Sequence, residues 1–189
     1  SAAVWSGGGV VSHVSEEMER GQAERLAPML QSVMGRAALA FSQLQIIAVT
    51  LGPGSFTGIR IGLAMAKSLA LATGRPIYGV TTFELQMSVL SPAVWRDGPV
   101  MIVLETKRDD FYVQMYDPDQ QPLSPAAAIP SRTLAPYVTD LIGSDATLTL
   151  AGDGVKRAVA ELGNKFDLRL CQQEGATPDA QDLARLVVA

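Results

Sequence analysis

Between an isoleucine- and valine-rich run and a long apolar stretch lies Gly52-Pro53-Gly54-Ser55-Phe56-Thr57-Gly58-Ile59-Arg60. Glycines, two hydroxyls and an arginine at a helix start are the ingredients of an anion site, because free backbone N–H groups and the helix dipole both favour negative charge there. Gly54, Ser55, Thr57 and Arg60 are the candidate contacts. The spacing fits neither common phosphate loop. No Gly-Lys-Ser/Thr follows, and Gly54 to Gly58 leaves three residues where the dinucleotide pattern allows two. A tight turn that uses glycine for steric reasons is the competing reading. Asp153, between Gly152 and Gly154, could hold a sugar hydroxyl or a metal, and equally suits a simple turn.

The inventory for catalysis is thin, and no catalytic residue is assigned. A serine nucleophile needs a base; His13 is the only histidine and the chain has no Gly-x-Ser-x-Gly elbow. Glu105, Asp109 and Asp110 cluster at a turn, where charges serve solubility and edge protection. Cys171 is the single cysteine, which excludes an internal disulfide; with one histidine beside it there is no zinc set. No metal and no cofactor are expected.

The helix launched by the glycine loop carries small residues at Gly58, Gly62, Ala66 and Ala70, four apart and therefore on one face. Ile59, Ile61, Leu63, Met65 and Leu69 occupy the others, so the helix is apolar nearly all round, unlike the surface helix of a monomer. The small stripe suits burial against the protein's own sheet or a subunit interface, and the residues alone do not choose. Arg60 and Lys67 are the only charges on this helix.

The elements that must position these residues follow from periodicity and breakers. Residues 1–5 and 10–14 predict two short strands about a glycine turn, a hairpin that needs further strands for stability. Apolar positions from Gln22 to about Ala38 recur at helical spacing, with Pro28 resetting the first turns. Leu44 to Leu51 predicts a strand buried on both faces, followed by a helix capped at Ser55 or Thr57 and stopped at Gly74, then a buried strand at Ile77 to Val80. Strand, helix, strand implies a parallel pair. After a breaker region at 91–99, Val100 to Glu105 and Phe111 to Tyr116 predict a hairpin. A helix at 131–142, a strand at 147–151, a helix at 155–162, a strand at 168–171 and a helix begun by Thr177-Pro178 complete the chain.

A chain of 189 residues, 48% hydrophobic and 18% charged, folds into one or two domains. Its net charge of −4 argues against autonomous nucleic-acid binding, so any RNA must be held mostly by something else. No stretch is apolar for long enough to span a membrane. No signal peptide is expected, and the cytoplasm is the expected location.

Residues 52 to 64, Gly-Pro-Gly-Ser-Phe-Thr-Gly-Ile-Arg-Ile-Gly-Leu-Ala, resemble the signature of the TsaB (YeaZ) family. The resemblance extends back through residues 24–30 and forward through 79–84, and more loosely to 105–116 and to Ala151-Gly152-Asp153-Gly154. It implies an α/β fold of two tandem ribonuclease H-like domains of the actin, Hsp70 and sugar kinase superfamily, at 1–92 and 99–177, with the C-terminal helix 178–189 on the first. It implies a non-catalytic role: binding TsaD, the paralogue that transfers threonylcarbamoyl to the tRNA adenosine beside the anticodon, with TsaE in the same assembly. Homodimer formation through the same helices is implied when TsaD is missing, and tRNA contact only through the complex. The implied interface is Leu26, Leu30 and Val33 on the first helix with Gly58, Gly62, Ala66 and Ala70. Relatives usually open with a strand ending in Asp-Thr ahead of Ser1 and often carry Tyr-Leu-Arg after the last helix, so the resemblance implies trimmed ends. Where relatives often carry a histidine in the first helix, Gln22 stands here. Two other functions compete: an independent nucleotide-binding enzyme of the same superfamily, using the Gly52 loop and Asp153, and a peptidase acting on TsaD, for which no residues are found.

Overall fold

In a computed structural model the chain is described at all residues except Glu19, Lys107, 172–178 and Ala189. The helix start expected at Thr177-Pro178 lies outside the described residues. The chain divides into two compact units, one of residues 1–88 with the C-terminal helix and one that begins at Val89. No described helix is long and apolar enough to cross a membrane.

The first unit opens with the expected hairpin, β1 (Ala2–Ser6) and β2 (Gly9–Val14), antiparallel about Gly7 and Gly8, whose φ values of 60° and 86° suit glycine. Helix α1 (Gln22–Arg36) follows and buries Met29, Val33 and Met34 against Ala2 and Val4. Strand β3 (Ile47–Gly52) leads into α2 (Phe56–Thr73) and then β4 (Ile77–Thr81), which pairs with β3 in parallel. A short helix, α3 (Thr82–Ser88), ends this part of the unit. Its entry is a side-chain cap: Glu84 Oε2 accepts from the Thr81 N–H and Oγ1, both at 2.7 Å, and Thr81 Oγ1 accepts from the Glu84 N–H.

The expectation that β3 and β4 are buried on both faces does not hold. Along β3, Ile47 and Val49 are buried while Leu51 is 48% exposed, and in β4 Ile77 and Tyr78 are 39% and 52% exposed. The reason is the sheet's width: among the described residues β3 and β4 pair only with each other, as do β1 and β2. The doubly buried strand lies instead in the second unit.

That unit holds a short helix α4 (Pro92–Trp95), then β5 (Val100–Glu105), β6 (Asp110–Tyr116) and β7 (Ala127–Pro130). Helix α5 (Leu134–Ile142), β8 (Thr147–Ala151), α6 (Val155–Leu162) and β9 (Asp167–Leu170) follow. The five strands form one sheet in the order β7-β6-β5-β8-β9, with β5 pairing antiparallel to β6 and parallel to β8. Val100 to Leu104 are all buried, the signature of a central strand. One face of the sheet packs Met101, Val103, Phe111 and Leu148 against Leu134, Val138, Ala158 and Leu162 of α5 and α6. Strand β7 is an addition to the sequence reading. The last helix, α7 (Ala180–Val188), belongs to the first unit, where its Leu183 is buried with Val80 and Leu85.

Candidate functional site

The glycine loop is built to start a helix. Gly52 has φ +97°, and a Cβ there would stand 2.7 Å from Ile59 Cδ1, so glycine is required by backbone conformation first and space second. Ser55 is the N-cap: its Oγ accepts from the Gly58 N–H at 3.3 Å, which occupies one of the free donors an anion would need. Thr82 Oγ1 donates to the Pro53 carbonyl at 2.7 Å and ties the loop to α3. At the far end Gly74, φ +68°, closes the helix in the left-handed conformation that glycine adopts without strain.

Within the first unit the candidate anion contacts do not converge. Gly54 and Ser55 lie on the loop and Thr57 in the first turn of α2, all exposed. Arg60 turns away from it and lies over the Phe56 ring, 3.9 Å from guanidinium to centroid. Asp153 sits in the other unit, where its Oδ1 accepts from the Glu105 N–H at 2.8 Å and so ends β5. Its glycine neighbours are there for closeness: a Cβ on Gly152, φ +107°, would come within 2.3 Å of the Val103 carbonyl oxygen. Nearby, Arg157 packs over the Phe111 ring, pairs with Glu105 Oε2 at 3.0 Å and donates to the Arg108 and Asp110 carbonyls. These contacts fix the β5–β6 turn and leave Asp153 a structural partner of its own.

The remaining chemistry-bearing groups are also engaged or isolated. His13 Nε2 lies 2.7 Å from Asp179 Oδ1, within ion-pair reach but outside hydrogen-bond geometry. The Arg25 guanidinium, hydrogen-bonded to the Glu16 carboxylate, holds that carboxyl below its ordinary range. Burial pushes the Cys171 thiol up, which makes it less reactive. Among the described residues no group of three His, Cys, Asp or Glu is placed to hold a metal.

The small-residue stripe faces inward. Ala66 is 5% exposed and packs with Ile47 and Val49, Ala70 joins the same cluster, and the position a Gly62 Cβ would take is 3.8 Å from Val49 Cγ2. Small side chains let α2 sit close on β3. Val33, 1% exposed, is likewise core, and Leu30 packs beside it. Ala66 and Val33 are thus buried in the seats of their own helices, while Gly62 and Ala70 are half-buried beside β3. Leu26 and Gly58 remain half-exposed.

The outward face of α2 is what the sequence reading missed. Phe56 is 68% exposed and Leu71 88%, with exposed Arg60, Ala64 and Lys67 between them. Their spacing of four, four, three and four residues was a signal available in the sequence, since it puts all five on one helical stripe.

A family model described as TsaD, tRNA N6-adenosine threonylcarbamoyltransferase, matches residues 5–135. The chain belongs to the TsaD family. The tRNA threonylcarbamoyladenosine biosynthesis protein TsaB of Escherichia coli K12 is 27% identical over 190 residues, 97% of this chain and 78% of that protein. A tRNA N6-adenosine threonylcarbamoyltransferase of Erythrobacter litoralis is 42% identical over 77 residues, 41% of this chain but only 22% of the transferase. Among solved structures, YeaZ from Pseudomonas aeruginosa superposes with a TM-score of 0.70 at 26% identity, covering 92% of this chain and 78% of that one. These relatives fit an α/β fold of the actin, Hsp70 and sugar kinase type.

Proposed function

We propose that this TsaD-family chain works in tRNA threonylcarbamoyladenosine biosynthesis as a non-catalytic subunit that docks on a TsaD transferase through α1 and α2. The two units are read as tandem ribonuclease H-like domains, and tRNA is met through the assembly. The observation that carries this reading is α2, whose inner face is seated on β3 while Phe56 and Leu71 stand 68% and 88% exposed at its two ends. Large exposed apolar side chains rimmed by polar ones mark partner surfaces. The similarity to a TsaB protein over 97% of this chain and 78% of that protein supports the pathway. The engagement of Asp153 with Glu105 supports a supporting rather than a catalytic role. The test is reconstitution: the TsaD transferase of the same genome is assayed for tRNA modification with and without this chain. The chain alone gives no product and raises the transferase's rate when added; product from the chain alone, or no effect on the transferase, overturns the reading.

A further inference from the structure

Resting on that docking reading, we infer that the outward stripe of α2 recognises an acidic protein surface, its cations meeting carboxylates and its end residues meeting apolar pockets. Phe56, Arg60, Ala64, Lys67 and Leu71 fall within an arc of about 80° at 3.6 residues per turn, and the two apolar ends are about 22 Å apart. Arg60 is held over Phe56 and so presents a ring and a charge as one unit.

The charge pattern around this stripe is one-sided. Between Glu24 and Glu84 there is no Asp or Glu, while Arg25, Arg36, Arg60, Lys67 and Arg75 all lie in that span. All 19 acidic residues of a chain with net charge −4 therefore lie outside it. Arg25 is neutralised by Glu16 and Arg75 donates to the Ser42 carbonyl at 2.9 Å. Among the described residues no ion pair involves Arg60 or Lys67. Two exposed cations that form no ion pair among the described residues are complementary to carboxylates from another chain.

The same pattern disfavours a nucleic acid. An RNA backbone is held by many cations and gains little from a phenylalanine and a leucine at the ends. An acidic surface with apolar pockets satisfies both parts of the stripe.

The test uses the full chain and the TsaD transferase of the same genome, with association rates measured by biolayer interferometry at about 50 and about 400 mM NaCl. The wild-type rate falls about tenfold across that range, Arg60→Gln with Lys67→Gln removes most of that salt dependence, and Arg60→Glu with Lys67→Glu slows association about 100-fold at low salt. Both variants unfold within about 4 °C of wild type, since both side chains are exposed and only the Arg60–Phe56 ring contact is lost. Equal rates and equal salt slopes for all three overturn this inference and leave the docking reading standing. No binding by the wild-type chain overturns both. If the Glu variant associates normally but the assembled complex loses tRNA, the stripe serves RNA and the inference is likewise overturned.

Discussion

Replacing Ala66 by Asp separates the two jobs that a small-residue stripe can have. Ala66 is 5% exposed among Ile47, Val49, Leu63, Leu69 and Ala70, none of which can pair with a carboxylate. A buried charge without a partner costs about 3–5 kcal/mol. In a chain of this length each kcal/mol moves the melting temperature by roughly 2–4 °C, so Ala66→Asp lowers it by about 6–20 °C. Ala64→Asp is the control: it lies on the same helix at an exposed position and bears the same loss of helix propensity, about 0.7 kcal/mol. The difference between the two variants, followed by circular dichroism on heating, isolates burial. Equal melting temperatures, with partner binding lost only in Ala66→Asp, would mean that the stripe is a docking surface and that the packing argument is wrong.

Other consequences are as direct. Gly152→Ala forces a Cβ against the Val103 carbonyl at a positive φ and costs about 2–4 kcal/mol in urea unfolding, whereas Gly163→Ala, at φ +59° with open space around it, costs only about 1–2 kcal/mol. Cys171, its thiol raised by burial, is alkylated by iodoacetamide more slowly at about pH 8 than in urea-unfolded chain; equal rates would refute the burial. The Glu16 carboxyl is lowered by Arg25, so the pair stabilises the fold above the ordinary carboxylate range and this contribution is lost as pH falls through the folded value. Glu16→Gln therefore unfolds more readily than wild type at about pH 7, with a gap that narrows as pH falls through the carboxylate range, and a gap that does not narrow contradicts the assignment.

The legible parts of the chain were those where local chemistry decides the outcome. The Ser55 cap, the Gly74 stop and the β5–β6 hairpin all follow from residue types at short range, and each stands where the residues place it. Strand β7 escaped because Ala127–Pro130 is short and carries no alternation of polarity. Its place is set by pairing with β6, a long-range fact. Helix α3 was missed although Thr81 and Glu84 spell its cap. The apolar composition of Ile77–Val80 suggested burial that a two-stranded sheet cannot supply. At the site, small residues pack a helix on a sheet as readily as on a partner, so Gly62 and Ala66 looked equivalent in the two roles until β3 was in place. The exposed stripe needed only helical spacing and the run without acidic residues.

The central claim is that the outward face of α2 is the working surface, and titration calorimetry of the same-genome TsaD transferase into Phe56→Glu with Leu71→Glu tests it most directly. Both side chains are largely exposed, so the variant keeps the wild-type melting temperature. The account predicts that it loses measurable binding while the wild-type chain binds; equal affinity for the two would contradict it.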